Sequence, residues 1–496
     1  MSYEEELKFC LESKIPKTVT TGRGTVMVLT GWCFHTSQEI SRLDILTGTF
    51  EHKVLQSKLI RHDVGRHHPE CKFSSRSGFL ALIPISSDIA GETELTLQAT
   101  LNDRSQIRKR LAKIEIHEKA VETRLRSSSI GGAFSSKPNC STGDDPLVGI
   151  AMATYNPQID LFRGQIESLI AQNHRNWLCV ISDDGSDAIT RAEMQKIIEQ
   201  DKRFAFSVAP KHLGFYQNFE RSLMLIPEEA AFVALSDQDD FWRPDKLQTL
   251  LASFEPETAL AYSDMKIVDK NGKTISETFW SHRKNNYTDL AAMLMVNSVT
   301  GASSIFRREL LEYALPFPTG LGNLHHDHWI ACVALAVGKL SWVDRPLHNY
   351  VQHGDNVTGF GESPGKPPLK TIYLNFRYLS AEEGVAEAKR VYFDQVVKLS
   401  AMAKVLRMRG GKKMKWQKLS ALHRMERLGD SFFSGLWMVF QGLKRRHVMS
   451  TTNGAEFFIL MGIVWGLLVK LRSRMSASRL GKFGLRFCPR LVKEIE

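Results

Sequence analysis

From residue 146 onward, short apolar runs alternate with amphipathic segments, and this alternation narrows the fold more than any other feature of the chain. Residues 147–153, 177–182, 204–208, 231–235 and 260–262 are bounded apolar runs of strand length. Between them, residues 159–171, 189–200 and 215–225 carry apolar side chains at helical spacing. A β-α-β-α order of this kind predicts an α/β domain, with a mainly parallel sheet and helices on both faces. Ligands of such sheets gather at the carboxyl ends of the strands.

Three of those ends are polar. The first run leads into Thr154-Tyr155-Asn156-Pro157, the second into Asp183-Asp184-Gly185-Ser186-Asp187, and the fourth into Ser236-Asp237-Gln238-Asp239-Asp240-Phe241-Trp242. Carboxylates crowded as closely as Asp237, Asp239 and Asp240 repel one another unless a cation neutralises them, and hard divalent ions prefer oxygen ligands. The last cluster therefore reads either as a metal-bridged phosphate site or as an acidic turn with a helix N-cap. Asp183 and Asp184, taken alone, read equally well as N-caps.

The flanks have a different texture. Residues up to about 120 hold short β runs at 25–30, 79–84 and 94–99, which suggest a small sandwich. Residues 126–138, rich in serine and glycine, read as a linker. Beyond about 365 the chain turns helical and basic, with a helix-forming stretch at 379–408. The expected division is thus 1–122, 123–145, 146–362 and 363–496.

The net charge of +11 is unevenly placed: residues 401–496 hold 20 Lys/Arg against 5 Asp/Glu. The apolar run at 457–469, beside Glu456, Lys470, Arg472 and Arg474, is too short to span a bilayer. It suits either an interfacial helix on an anionic membrane surface or a buried core helix. No aromatic platform or DNA-binding motif accompanies the charge, so nucleic acid is not an expected partner. The seven scattered cysteines contain no CxxC pair, which favours a reducing compartment over a disulfide framework. The first thirty residues lack a basic segment followed by an apolar core, and no secretory signal is expected from them.

Six ordered motifs resemble those of the family 2 glycosyltransferases, enzymes of the GT-A fold. They are Thr154-Tyr155-Asn156, Asp183-Asp184-Gly185-Ser186, Gly214-Phe215-Tyr216-Gln217-Asn218-Phe219, Asp237-Gln238-Asp239-Asp240-Phe241-Trp242, His326-Asp327-His328-Trp329 and Tyr350-Val351-Gln352-His353-Gly354-Asp355-Asn356. The pattern is most similar to the bacterial rhamnosyltransferase-like branch. The resemblance implies that Thr154, Tyr155, Asn156, Asp183, Asp184, Asn218, Asp237, Asp239 and Trp329 contact a nucleotide-sugar donor. It implies a divalent cation, Mn²⁺ or Mg²⁺, on Asp237 and Asp239, with His353 either completing its shell or bonding within a loop.

Asp327 is the expected general base of an inverting transfer, its alternative being an N-cap of the apolar helix that follows. Trp329 would offer the sugar an aromatic wall. Asp264, after the fifth run, reads either as a donor or acceptor contact or, preferably, as a solvated loop residue, and the His67-His68 pair lacks companion ligands. Gly31-Trp32-Cys33-Phe34, Arg61-His62-Asp63-Val64 and Ser77-Gly78-Phe79 resemble an accessory β-sandwich attached to some bacterial glycosyltransferases. The expected protein is a cytoplasmic enzyme, peripheral on the inner face of the membrane, acting on a glycan or lipid-linked acceptor. Its donor would be dTDP-rhamnose or, failing that, a UDP-hexose. A phosphoryl-transfer enzyme would need a Gly-rich phosphate loop that Thr154-Tyr155-Asn156-Pro157 does not supply. A non-catalytic glycan- or lipid-binding protein would tolerate loss of the acidic positions, and all are present.

Overall fold

Strand β1 (Leu7–Leu11) lies against β3 (Thr25–His35) so closely that only glycine fits at Gly31, where an added Cβ would meet the Cys10 carbonyl oxygen at 2.3 Å. With β7 (Gly78–Ile85) and β6 (Gln56–Leu59) they make a four-stranded sheet in the order β1-β3-β7-β6. A second sheet runs β2 (Thr18–Thr20), β9 (Gln106–His117), β8 (Gly91–Leu101), β4 (Ile40–Thr47) and β5 (Phe50–Lys53). Leu29, Phe79 and Ile83 from the first sheet and Ile45, Leu97 and Ile114 from the second share one core. The expected sandwich is there, with more strands than the apolar runs announce. The Arg61-His62-Asp63-Val64 element opens a short helix, α1 (His62–His67), whose Val64 packs with Phe34 and Cys71.

These coordinates come from a computed structural model, which describes residues 6–13, 15–20, 25–54, 56–59, 61–85, 91–117, 145–281, 285–318, 325–353, 387–388, 390–429, 431–446, 452 and 454–475. The chain divides into two compact units, residues 1–125 with 315–323 and residues 126–314 with 324–496. The serine-rich linker, the Gly354-Asp355-Asn356 end of the sixth motif and the boundary at 362 lie outside the described residues, as do 379–386 of the basic helix.

The second unit is built on one nine-stranded sheet. Four strands, β10 (Val148–Thr154), β11 (Trp177–Asp183), β12 (Phe204–Val208) and β13 (Phe232–Ser236), are parallel and lie in the order β12-β11-β10-β13. Each is buried on both faces, which is why it reads as an unbroken apolar run. The crossover helices α2 (Ile159–Ile170), α3 (Ala188–Ile198) and α4 (Phe215–Met224) match the expected segments to within two residues. Helix α2 buries Phe162, Ile166 and Leu169, one stripe at three- and four-residue spacing.

The sheet departs from the expected one beyond β13. Strands β15 (Thr258–Asp269) and β13 are not neighbours, because β17 (Ser304–Arg307) inserts antiparallel to both. Next come β18 (Lys339–Gln352), parallel to β15, and the two-residue β14 (Phe241–Trp242) at the edge; β16 (Thr274–Ser276) pairs with β15 alone. Through β14, the acidic segment at 237–240 is stitched to the far end of the sheet.

Helix α5 (Lys246–Ala252) follows β14, and α6 (His326–Val337) precedes β18. The C-terminal helices α7 (Lys398–Gly410), α8 (Trp416–Glu426), α9 (Phe432–Arg446) and α10 (Ala455–Met475) belong to the same compact unit. Arg409 of α7 is buried and donates to the carbonyls of Tyr313 at 3.0 Å and Ala314 at 2.7 Å. Lys418 donates to the carbonyls of Leu335 and Gly338, both at 2.6 Å, satisfying the C-terminal end of α6.

The apolar run at 457–469 lies in α10 with Ile459, Met461, Ile463 and Trp465 buried, and Gly466 sits where a Cβ would meet the Tyr392 ring at 2.2 Å. One face of the run is thus core, while Phe458 and Leu468 remain exposed. The Lys470, Arg472 and Arg474 side chains lie outside the described residues. Among the described residues, no helix is long and apolar enough to cross a membrane.

Candidate active site at the carboxyl edge of the sheet

Strands β10, β11 and β13 end side by side, and the polar residues after them interlock. Thr154, buried at the tip of β10, donates its hydroxyl to Asp183 at 3.2 Å. Asp183 also receives the amide and hydroxyl of Ser186, at 3.0 and 2.5 Å, so the Asp183-Asp184-Gly185-Ser186 turn closes on itself. Asn156, at φ 40°, donates its amide to Ser186 and accepts that of Asp187. Asp187 then caps α3, accepting the amides of Ile189 and Thr190. The first two motifs are therefore one structural piece.

Asp184 is buried, and its two oxygens accept the amides of Leu213 at 2.6 Å and Gly214 at 2.8 Å, with His212 Nδ1 at 3.1 Å. It holds the loop that starts α4. Asn218 is also buried: its amide nitrogen donates to the Thr154 and Ser182 carbonyls while its oxygen accepts from the Ser182 hydroxyl. It is a strut joining β10 to β11. Arg221, one turn further on, donates to the hydroxyls of Ser182 and Ser207 and extends the strut to β12, a role that no motif announces. Tyr155, by contrast, is 50% exposed, its ring tilted against His212 at 4.9 Å between centroids. Its amide donates to Gln238 at 2.9 Å, tying the first motif to the acidic segment.

The acidic segment divides its work. Asp239 and His353 meet, Nε2 to Oδ2, at 2.8 Å. Asp237 is partly buried, and its carboxyl is pushed up to about 7, first by burial and then by the charges of Asp239 and Asp327. Asp239 is raised by burial and drawn back by His353. Asp240 points inward instead. It is fully buried, accepts the Val351 amide at 3.3 Å, and lies 3.8 Å from the buried His348. Burial, Asp237 and Asp239 push it well above the usual carboxylate range.

Behind these three stands Lys246, fully buried, donating to the Ala302 carbonyl with its ammonium 3.5 Å from the Trp242 ring centroid. Burial drives it well below its ordinary value, and Asp240 and Asp237 pull it back up. Sequence reasoning missed this cation, because a lysine opening an amphipathic helix reads as solvated. It missed Gln165 as well. With its amide turned so that both ends are satisfied, Gln165 donates to the Asp240 carbonyl and accepts from Ser236 and Trp242.

Asp327 opens the first turn of α6 and accepts the His328 amide at 2.6 Å, with the Gly301 amide and Asn297 side chain also holding it. Burial nevertheless pushes its carboxyl up to about 6. Its charge raises Asp237, so the two carboxylates stand within electrostatic reach of each other. Gly301 lets the first turn of α6 pack close to it, since a Cβ there would lie 2.8 Å from His326 Nε2 and 3.5 Å from Asp327 Cβ. His326 itself stacks on Phe219 at 3.6 Å and is pushed down to about 3 by burial, which keeps it neutral.

Two expectations need correction. Trp329 offers no surface to a sugar: it is fully buried, its indole donates to the Ala314 carbonyl at 2.9 Å, and the Arg409 guanidinium stands 5.2 Å from its ring. Two residues along a helix point to opposite sides, so Asp327 and Trp329 cannot share a face. Asp264 is buried rather than solvated, bracing the turn at Thr278 and Phe279.

Among the described residues no three Asp, Glu, His or Cys side chains enclose a metal on their own. The Asp239–His353 pair, with Asp237 beside it, fits a divalent ion whose remaining positions would come from phosphate oxygens and water, and an imidazole in the set suits manganese better than magnesium.

Residues 150–314 match the family model described as glycosyl transferase family 2. An uncharacterized glycosyltransferase of Nostoc sp. is 26% identical over 215 residues, 42% of this chain and 66% of the relative. A Bacillus subtilis glycosyltransferase named for teichuronic acid biosynthesis is 24% identical over 156 residues, 31% of this chain and 61% of the relative. The alignments thus span slightly less than two thirds of either relative. Among solved structures, S. aureus TarS 1–349 in complex with UDP-GlcNAc covers 67% of this chain and 92% of its own at 16% identity and a TM-score of 0.37.

Proposed function

We propose, from the premise that residues 150–314 are a family 2 glycosyltransferase domain, that the chain is an inverting, metal-dependent glycosyltransferase. It would move a sugar from a nucleotide-sugar donor to a hydroxyl of a growing, lipid-linked cell-surface glycan. The observation that carries this reading is the meeting of three elements on one sheet edge: the Asp239–His353 pair, Asp237, and Asp327 on the facing helix turn.

The geometry supports roles for the donor-contacting residues and the base. Tyr155, half exposed beside His212, suits stacking on a nucleobase, and the bonded Thr154 and Asp183 side chains lie at the strand ends next to it. Asp239 and His353 would hold the divalent ion, with Asp237 turned to the donor. When bound, that ion neutralises the charge that develops on the leaving diphosphate. Asp327 takes the proton of the incoming hydroxyl. A carboxyl raised to about 6 is ionised at neutral pH, yet more basic than an ordinary aspartate, as a general base requires. One displacement by the acceptor hydroxyl inverts the anomeric carbon, and no covalent nucleophile is needed.

The motif resemblance makes dTDP-rhamnose the first donor to test, followed by UDP-galactofuranose and other UDP-hexoses. The basic C-terminal region, with 20 Lys/Arg against 5 Asp/Glu after residue 400, supports a position on the cytoplasmic face of the membrane, where a lipid-linked acceptor lies. The deciding experiment is a panel of nucleotide sugars with Mn²⁺ or Mg²⁺, scored for binding and slow hydrolysis. Turnover of one donor that disappears in Asp239→Ala supports the reading. Binding without turnover for every donor would instead mark a glycan- or nucleotide-binding protein.

A further inference from the structure

Helix α9 is amphipathic in the opposite sense to an ordinary surface helix. Its large apolar side chains face out: Phe433 is 80% exposed, Phe440 54%, Phe432 45%, Leu436 42% and Leu443 41%. At about 100° per residue these five fall within an arc of about 100°. The opposite arc holds Ser434, Gly435, Met438 and Gly442, and it is this small-residue side that packs inward. A Cβ at Gly435 would lie 3.1 Å from Ile463 and 3.2 Å from Leu460 of α10, and one at Gly442 would lie 2.7 Å from the Glu456 carboxyl. The helix is thus anchored by its small residues and presents its phenylalanines.

The rim of the stripe is cationic. Lys444 stands 4.8 Å from the Phe440 ring, and Arg424 of α8 stands 5.2 Å from the ring of Trp437, next around the helix. No acidic residue occurs between Phe432 and Arg446. Two such faces brought together would oppose cation to cation, whereas an anionic surface is complementary to both features. Aromatic and aliphatic side chains ringed by Lys and Arg match a helix lying in the headgroup layer of anionic lipid.

We propose that the exposed face of α9, from Phe432 to Leu443, docks the protein on an anionic lipid bilayer. This deepens the membrane position in the proposed function and moves the contact away from the apolar run at 457–469, whose Ile459, Met461, Ile463 and Trp465 are buried. The phenylalanines enter the acyl boundary while Lys444 and Arg424 remain at the phosphates.

The test uses the full chain and the doubly substituted Phe433→Ser/Phe440→Ser chain, both positions being too exposed to disturb the core. Each is sedimented with vesicles of phosphatidylglycerol and phosphatidylcholine, and with phosphatidylcholine alone. Metal-dependent nucleotide-sugar hydrolysis is followed in parallel without vesicles. The expected result is wild-type binding to the anionic vesicles only, weakened about tenfold or more by the two substitutions, with hydrolysis unchanged. Equal binding by the variant, equal binding to neutral vesicles, or a wild-type dimer that the variant converts to monomer would overturn the proposal. If the chain hydrolyses a donor but ignores vesicles, the docking face fails alone. If it binds vesicles and hydrolyses nothing, the transferase reading fails and the docking face stands.

Discussion

His353 Nε2 lies 2.8 Å from Asp239 Oδ2, although 114 residues separate them. The contact depends on β18 running back beside β14, where Phe241 pairs with Asn349 and Trp242 with His348. That pairing carries the residue four positions beyond Asn349 to the acidic segment. His353→Ala should therefore weaken Mn²⁺ binding by at least about tenfold while leaving nucleotide binding in the absence of metal nearly unchanged. Calorimetric titration of metal and nucleotide separately checks this, and equal loss of both would assign His353 to the fold.

Protons compete with the metal at these carboxylates. Asp237 is raised to about 7, so it is partly protonated in mildly acidic solution when no cation is present, and burial raises Asp239 in the same direction. Apparent metal affinity should climb as pH rises through about 7, where Asp237 loses its proton, and level off above it. A Mn²⁺ titration at pH 6 and pH 8 tests the direction; tighter binding at pH 6 would contradict the assignment of ligands.

Burial raises Asp327 to about 6, the range that suits the proposed general base. Donor-saturated turnover should fall as pH drops through about 6, because the base becomes protonated. Asp327→Asn should lower kcat by about 10²- to 10⁴-fold with little change in donor affinity, and should remove that limb of the profile. A variant whose KM for donor moved instead would place Asp327 in binding.

The same residue makes a stability prediction of the opposite sense. Its folded pKa is raised above the ordinary value, so the native state holds the proton more tightly than the unfolded chain does. Its unfavourable ionisation is absent below about pH 4 and grows as pH rises through about 6. Asp327→Asn should then raise Tm at pH 8 and leave it nearly unchanged at pH 4. Thermal melts at the two pH values decide it, and a loss of Tm at pH 8 would show that hydrogen bonds to the carboxylate outweigh its desolvation.

What was legible in the sequence was what is local. The runs that became β10 to β13 are buried on both faces, and the helices between them carry one apolar stripe each, so short windows suffice. Strand β17 has four residues, and β18 mixes Asp344, Arg345 and Pro346 into its length, so neither carries a clear pattern. The site divided the same way. Motif residues at strand ends were found, whereas Gln165, Arg221 and Lys246 act from helices behind them, and only the tertiary fold supplies their partners. Trp329 misled because a motif places residues in order without saying which way each one faces. The apolar run of α10 drew attention by its length, while the exposed stripe of α9 is broken in sequence by Ser434, Gly435 and Gln441.

Lys246 is the buried basic group behind the acidic cluster. It influences Asp240 and Asp237, and Asp240, fully buried, has no water to turn to if Lys246 is replaced. Lys246→Met should cost about 1–3 kcal/mol, because the buried Ala302 carbonyl loses its donor and Asp240 loses a favourable neighbouring charge. Asp240→Asn removes the stranded charge, so the double variant should regain more than about 1 kcal/mol over the sum of the single changes. Denaturant unfolding of the four proteins measures the coupling. Strict additivity would mean that Asp240 is already protonated and that the lysine acts only through Ala302 and the Trp242 ring.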